Sequence, residues 1–176
     1  GKHTDTHEAM STAYAELERH WADIRDLEHA VSILGWDQEV TMPSGGADLR
    51  AHTLATMAGV LHERATSPDL VKLVDRLHRR RSSLSPRQRR GLELARRQVQ
   101  KATAIPESLA REIALAESRG LESWRHARAD RDFKRFAPDL ERMVDLKRTV
   151  AERNAGRGPL YDALLDDYEP GATMAT

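Results

Sequence analysis

Apolar residues recur along this chain at intervals of three and four, the spacing that places them on one face of an α-helix. The first such stripe predicts a long helix over Ala9–Leu34, with charged residues on its other faces. The stripe is narrow, as in a coiled coil, so we expect this helix to pack against a neighbouring helix. Its apolar members are Tyr14, Leu17, Trp21, Ile24, Leu27, Val31 and Leu34.

Further stripes of the same period predict about seven or eight helices in a single domain over residues 1–176. The second helix is predicted over Ala47–Ala65. Ser67-Pro68 and Ser85-Pro86 each place an N-cap before a proline, which favours helix starts there. Gly120 predicts a break or a kink. The later stripes lie at Leu109–Ala116, Leu121–Ala127, Leu140–Val150 and Tyr161–Tyr168.

No segment of strand length alternates apolar and polar residues, so the predicted fold class is an all-α, multi-helix bundle without a sheet. One stretch, Leu34–Ala47, departs from the helical pattern. Its Pro43 lacks a backbone donor, and its adjacent glycines tolerate unusual backbone angles. We therefore interpret it as a structured loop between two helices, with the ring of Trp36 packed as its anchor. A functional surface wall is the alternative.

Composition limits the classes of protein to consider. Of 176 residues, 39% are hydrophobic and 32% are charged, and the formal net charge is zero. That balance is typical of a water-exposed helical protein and shows no overall bias toward nucleic acid. The lack of cysteine excludes disulfides and thiolate sites and is compatible with the cytoplasm, where we expect the protein. No apolar run approaches the roughly 20 residues that span a bilayer, so we expect no membrane partner.

Three motifs, in order, resemble the carboxypeptidase Taq family of metallocarboxypeptidases. The first lies in the predicted loop and resembles the family's N-terminal signature, and the resemblance spans about Tyr14 to Thr173. The matching residues are Trp36, Asp37, Gln38, Met42, Pro43, Gly45, Gly46, Arg50, Trp124, Arg128, Phe133, Tyr161, Asp162, Tyr168, Glu169, Pro170 and Gly171.

The resemblance implies an enzyme that removes C-terminal residues from peptides with a metal-activated water. It also implies a largely helical, often homodimeric protein whose N-terminal helices help to wall a deep groove. The signature residues would then be structural or would line that wall. Family members hold zinc, or another divalent metal, with His-Glu-x-x-His on a helix. His7-Glu8 and His62-Glu63 begin this motif but lack the second histidine.

We therefore predict that the chain is the N-terminal helical part of such an enzyme, with no catalytic, cofactor-binding or metal-binding residue of its own. Glu169-Pro170-Gly171 is typical of a helix end and Thr173 of a new helix start, so we expect a longer protein. His3 and His7 have the i, i+4 spacing of metal ligands, but they lie at a terminus that is expected to fray. We expect the isolated chain to form a homo-oligomer, a dimer or a higher oligomer, through apolar side chains.

Two other functions remain open on the sequence. The chain could be a stand-alone helical module whose apolar stripe binds a partner helix. It could also bind nucleic acid through Arg76–Lys101, which holds ten Lys or Arg residues against one acid, Glu93. These arginines surround their helix instead of sharing one face, which favours a solvated or salt-bridged helix. The acids Asp162, Asp166, Asp167 and Glu169 are interpreted as solvated side chains alternating with a core face.

Overall fold

The computed structural model describes residues 2–156 and 158–175, with side chains described from Glu8 onward. Secondary structure in these residues is entirely helical, which confirms the predicted all-α class. Two single-turn 3₁₀ helices, Ser44–Gly46 and Arg81–Ser83, join longer elements. The α-helices are α1 (Lys2–Val40), α2 (Ala47–Ala65), α3 (Pro68–Arg79), α4 (Pro86–Ala104), α5 (Glu107–Asp130), α6 (Phe133–Asn154) and α7 (Leu160–Tyr168).

Helix starts at α3 and α4 follow the predicted signals. The hydroxyl of Ser67 accepts a hydrogen bond from the backbone N–H of Leu70 at 3.3 Å. Ser85 and Gln88 form a reciprocal capping box: each side chain accepts from the other's backbone N–H, at 3.2 and 3.0 Å. Both caps satisfy backbone donors that the first turn of a helix leaves free.

Three predicted boundaries are wrong. Helix α1 begins at Lys2, before the predicted start at Ala9. Helix α1 continues to Val40, so the first half of the predicted loop Leu34–Ala47 is helical. Helix α5 runs through Gly120 without a break. Gly120 is buried, and a Cβ there would lie 2.9 Å from the sulfur of Met143 in α6. The glycine therefore permits a close approach of α5 and α6, which outweighs its weak helix propensity of about 1 kcal/mol.

The chain divides into two compact units. Unit 1 comprises the residues up to Ile33 together with Val60–Thr103. Its apolar core is filled by α1, α3 and α4, and Leu77 is fully inaccessible to solvent. A Cβ at Gly91 in α4 would lie 2.2 Å from the hydroxyl of Tyr14, so the absence of a side chain there leaves room for the tyrosine of α1. The core residues are Met10, Ala13, Leu17, Ile24, Leu70, Leu73, Val74, Leu77, Leu84, Leu92, Ala95 and Val99.

Unit 2 comprises Leu34–Gly59 and the residues from Ala104 onward. Its buried residues include the polar pair Gln38 and Ser118. The others are small or aliphatic, such as Leu146. Whether the two units make the single domain predicted for residues 1–176 stays a prediction. Large apolar side chains exposed in unit 2 are Trp36, Val40, Leu49, Trp124, Phe133, Leu140, Val144, Leu160, Tyr161, Tyr168 and Met174.

Within the described part of the chain, every helix is too short or too polar to serve as a membrane span.

Candidate functional site

The C-terminal end of α1 carries acidic side chains that are unfavourable at this end of a helix. Asp37 and Glu39 lie in the last turn, which has no basic residue. Acidic groups there face the negative end of the helix dipole, and the last carbonyls lack partners within the helix. Two arginines from other helices, Arg50 in α2 and Arg125 in α5, reach this end. We call Asp37, Gln38, Arg50, Ser118 and Arg125 the α1-end network.

Arg50 bonds both the backbone and a side chain of α1. One guanidinium nitrogen donates to the carbonyl of Leu34 and the other to the Asp37 carboxylate, each at 2.5 Å. The hydroxyl of Thr41 donates to the second oxygen of the same carboxylate. The bonds from Thr41 and then from Arg50 hold the pKa of the Asp37 carboxyl below its usual range. Asp37 is therefore ionised, and the guanidinium of Arg50 balances its charge.

Arg125 caps α1 from outside. Its guanidinium donates to the carbonyls of Gln38 and Glu39, at 3.0 and 3.1 Å. It also forms an ion pair with Glu122, one turn earlier in α5, at 2.8 Å. A cation on the last carbonyls of a helix satisfies free acceptors and opposes the negative end of the dipole. The last turn of α1 is thus stabilised by a residue far away in the sequence.

Gln38 and Ser118 form the buried centre of the network, with exposed fractions of 3% and 5%. The Gln38 amide donates to the hydroxyl and the carbonyl of Ser118, at 2.9 and 3.2 Å. The Ser118 hydroxyl donates back to the amide oxygen at 3.1 Å. Since a buried polar group is costly when unpaired, this exchange fixes the register of the last turns of α1, from Leu34 to Val40, against α5.

The sequence contained a signal for this helical extension. Gln38 lies one turn after Leu34, so it continues the buried stripe of α1 with a polar member. The predicted helix ended at Leu34 because only apolar residues were counted as members of the stripe. Asp37, Gln38 and Arg50, which the sequence analysis named as signature residues, are brought together, whereas Ser118 and Arg125 were missed because their roles depend on tertiary contacts.

Trp36 lies on the other side of the same turns. Its exposed fraction is 60%, and that of Val40, one turn on, is 61%. The prediction of a packed Trp36 is therefore wrong for this chain. The reason is geometric: because the loop is in fact helix, Trp36 is two residues from both Leu34 and Gln38 and points away from them.

The other residues of the first motif make a tight connection after α1. Met42 and Pro43 precede the turn Ser44–Gly46, in which the N–H of Gly46 donates to the carbonyl of Pro43 at 2.9 Å. The side chain of Met42 lies against Gly46, where a Cβ would be 3.2 Å from its Cγ. Here the predicted role of proline and glycine in a structured connector holds for Thr41–Gly46.

The second motif lies elsewhere in unit 2, at the end of α5 and the start of α6. The guanidinium of Arg128 lies over the ring of Trp124 at 5.2 Å, a cation–π contact. Phe133 and Phe136 contact edge to face with ring centres 6.3 Å apart. Phe133 is exposed, and none of these rings joins the α1-end network.

The third motif holds the backbone that follows α7. The carboxylate of Asp162 accepts from the N–H of Met174 at 2.9 Å, and Asp166 accepts from Gly171 at 3.0 Å. Both bonds lie at the surface, so they do not contradict the interpretation of these acids as solvated, and each acid also satisfies a backbone donor of the returning segment. Tyr161 and Tyr168 are exposed, as are Glu169, Pro170 and Gly171.

Histidines and acids do not converge in the described residues: no group of three or more His, Cys, Asp or Glu side chains could hold a metal ion. His62 instead bonds the carbonyl of Ala102, at 3.1 Å from its Nε2. The side chains of His3 and His7 lie outside the described ones. In the basic segment, Arg76 pairs with Glu16 and Arg90 with Glu93, each at 3.4 Å. These ion pairs do not test whether the segment binds nucleic acid, so the absence of such binding stays a prediction.

Comparison with known proteins gives a consistent picture. The family model of the carboxypeptidase Taq (M32) metallopeptidases matches residues 16–176. Thermostable carboxypeptidase 1 of Pyrococcus furiosus is 32% identical over 164 residues, which cover 93% of this chain and 32% of the relative. Carboxypeptidase 1 of Bacillus subtilis is 30% identical over 152 residues, which cover 86% of this chain and 30% of the relative.

The fold agrees with these sequence matches. The crystal structure of BsuCP superposes with a TM-score of 0.87 at 27% identity, over 93% of this chain and 33% of that one. The chain thus spans about a third of the length of the relatives that it matches. Because the family model covers nearly all of its residues, the chain belongs to the carboxypeptidase Taq (M32) family of metallopeptidases.

Proposed function

We propose that this chain is the N-terminal helical part of a metal-dependent carboxypeptidase that releases C-terminal residues from peptides. The supporting observation is the family match over residues 16–176, on a fold shared with BsuCP. Since the match covers a third of the relatives' length, the proposal assigns catalysis to the part outside it. This chain by itself is then inactive and serves as scaffold and groove wall.

The α1-end network suits a scaffold role. Its members bond one another and the end of α1, so their polar groups are already engaged. In the proposal, Asp37, Gln38 and Arg50 fix the backbone of the wall and do not touch the reacting atoms. In the same proposal, the metal, zinc or another divalent ion, is held by the part of the enzyme outside this chain.

Activity of the isolated chain is the first test. The purified chain is incubated with zinc, freed of unbound metal and assayed for metal content and for release of the C-terminal residue from an N-blocked peptide. We expect neither bound zinc nor release. Tightly held, stoichiometric zinc together with release of C-terminal residues would refute the proposal.

A chimera gives the positive test. In it, this chain replaces the segment that it matches in Bacillus subtilis carboxypeptidase 1. We expect zinc-dependent release of C-terminal residues by the chimera, whereas the same enzyme with the segment deleted should show none. A soluble, folded chimera without this activity would contradict the proposed function.

The apolar side chains exposed in unit 2 also favour self-association of the isolated chain, because burying apolar surface contributes about 25 cal/mol per Å². We propose a dimer at micromolar concentration, in the cytoplasm. Sedimentation equilibrium in low and high salt measures it: a contact through apolar residues should persist in high salt. A monomer at ~100 µM would refute it, and dissociation in high salt would move the contact to the arginines.

A stand-alone interaction module is the second candidate, and the same exposed side chains favour it. The two functions differ in what the chimera does. A module whose apolar surface serves an unrelated partner has no reason to restore peptide release when it replaces a segment of a carboxypeptidase.

A further inference from the structure

Exposed apolar side chains are distributed unevenly between the two units. In unit 1, the large apolar side chains exposed among the described residues are Ile33 and Leu94, and the remaining ones belong to unit 2. Isolated exposed apolar residues are normal on protein surfaces, but a tryptophan is large and is rarely left open to water. Trp36 and Val40 therefore require an explanation.

These two side chains form a continuous stripe. They are four residues apart on α1, so they are neighbours on one face of its last turns. Leu49, also exposed, directly precedes Arg50, whose guanidinium bonds the residue next to Trp36. Two charges near the stripe are already paired: Asp37 with Arg50, and Arg125 with Glu122.

The stripe is also held in place before anything binds it. The turns that carry it are fixed from the opposite side by the Gln38–Ser118 bonds and from the end by Arg125. A surface that is ordered beforehand loses less conformational entropy on binding than a mobile loop does. An aromatic side chain on such a surface is the usual centre of a protein–protein contact.

We propose that the Trp36–Val40 stripe is the surface on which the remaining part of a family carboxypeptidase packs. This inference rests on the proposed function. The occupant follows from length: the chain matches a third of BsuCP with the same fold, so two-thirds of that protein lies outside the match and must pack against the shared third somewhere. Unit 1 encloses most of its apolar side chains. Unit 2 instead exposes the Trp36–Val40 stripe on a helix end that is held in place.

The experiment compares glutamate substitutions in two settings. Trp36→Glu and Val40→Glu change the stripe, and Leu94→Glu is the matched control, since Leu94 is 48% exposed on helix α4 of unit 1. In the isolated chain, diluted below the concentration at which the proposed dimer forms, all three variants should melt within about 2 °C of the wild type, because the side chains are exposed in the monomer. This measurement also shows that each variant folds.

In the Bacillus subtilis chimera, the stripe variants should lower the melting temperature by about 3 °C or more, whereas Leu94→Glu should not. Trp36→Phe, which keeps an aromatic ring, should retain most of the stability. Equal losses from Leu94→Glu and Trp36→Glu, or no loss from either stripe variant, overturn the proposal. So does a wild-type chimera that fails to melt as one unit.

The two proposals fail separately. A chimera that releases C-terminal residues and keeps its melting temperature in Trp36→Glu and Val40→Glu leaves the proposed function standing and rejects the stripe as the packing surface. A chimera that melts cooperatively, depends on Trp36 and lacks activity keeps the packing surface and rejects the proposed function.

Discussion

Unit 1 and unit 2 are both built from helices, but they bury different chemistry. Unit 1 closes around leucines, valines and alanines from three helices. Unit 2 has a glutamine and a serine among its buried residues and leaves many large apolar side chains exposed. Apolar packing is non-directional, whereas a buried amide accepts few geometries. Unit 1 is therefore held together mainly by apolar packing. In unit 2, specific hydrogen bonds align the helices, and apolar surface stays exposed.

The largest expected effect tests the core of unit 1. Leu77→Ala removes a fully buried side chain and leaves a cavity, so we expect the free energy of unfolding to fall by about 2–5 kcal/mol. Urea denaturation measures it. Leu94→Ala in the same unit is the control and should change stability by less than about 0.5 kcal/mol. Similar losses from both would mean that unit 1 lacks the core described.

Gln38→Leu tests the polar centre of unit 2. The substitution leaves the buried Ser118 hydroxyl without its partner, so we expect a loss of about 1–3 kcal/mol. The double variant Gln38→Leu/Ser118→Ala removes both partners and should recover part of that loss. A double-mutant cycle by urea denaturation gives the coupling energy. Strictly additive effects would show that the two side chains do not depend on each other.

Arg125→Ala tests the external cap of α1. We expect a loss of about 1 kcal/mol, concentrated at the helix end that the guanidinium stabilises. Amide hydrogen exchange should become faster at Thr41 and Met42, whose N–H groups donate to the carbonyl of Asp37. Arg128→Ala, on the same helix α5, is the control and should leave these amides unchanged. Equal exchange in both variants would contradict the capping role.

Trp36→Ala should change the stability of the monomer, measured below the concentration at which the proposed dimer forms, by less than about 1 kcal/mol, because more than half of its side chain is already exposed. A packed aromatic would instead cost about 3–5 kcal/mol. Chemical denaturation distinguishes the two values. A loss in the upper range would show that Trp36 lies in the interior of unit 2 and not on its surface.

The smallest effects concern pH and differ in direction between the units. In unit 2, hydrogen bonds from Thr41 and Arg50 lower the pKa of Asp37, and a bond from Arg119 lowers that of Asp48. A carboxyl whose pKa is lower in the folded state stabilises it above its ordinary pKa. This stability is lost as the pH falls below about 4.

In unit 1, burial raises the pKa of the Tyr14 phenol, with smaller effects from Glu18 and Arg87. Its stabilisation is present at neutral pH and is lost as the pH rises above about 10. Two-dimensional NMR at both extremes should therefore show unit 2 amides near Asp37 responding to acid and unit 1 amides near Tyr14 responding to base. In Asp37→Asn the local acid response should disappear, and its persistence would assign the response to another group.

Sequence periodicity was sufficient for unit 1. Its helix starts at Ser67 and Ser85 follow local capping rules, and its buried leucines and valines recur at helical spacing, so the information lies within a few residues. The same reasoning was less successful in unit 2. Asp37 and Glu39 at a helix end are locally unfavourable, and only Arg50 and Arg125, distant in sequence, reverse that balance.

One further error has the same origin. Gly120 disfavours a helix locally, but its lack of a Cβ leaves room for the sulfur of Met143 on the facing helix. Local propensity gave the wrong answer because a tertiary contact decided the conformation.

The long-range partners of Gln38 have a consequence for the order of folding. Ser118 follows Gln38 by 80 residues, and Arg125 follows it by 87. The segments of unit 1 close by Thr103, so a ribosome completes that unit before it has made either partner. The end of α1 is synthesised early, yet it can adopt its final register only after α5 emerges. We expect this helix end to be among the last parts of the chain to become protected during synthesis, despite its position near the N-terminus.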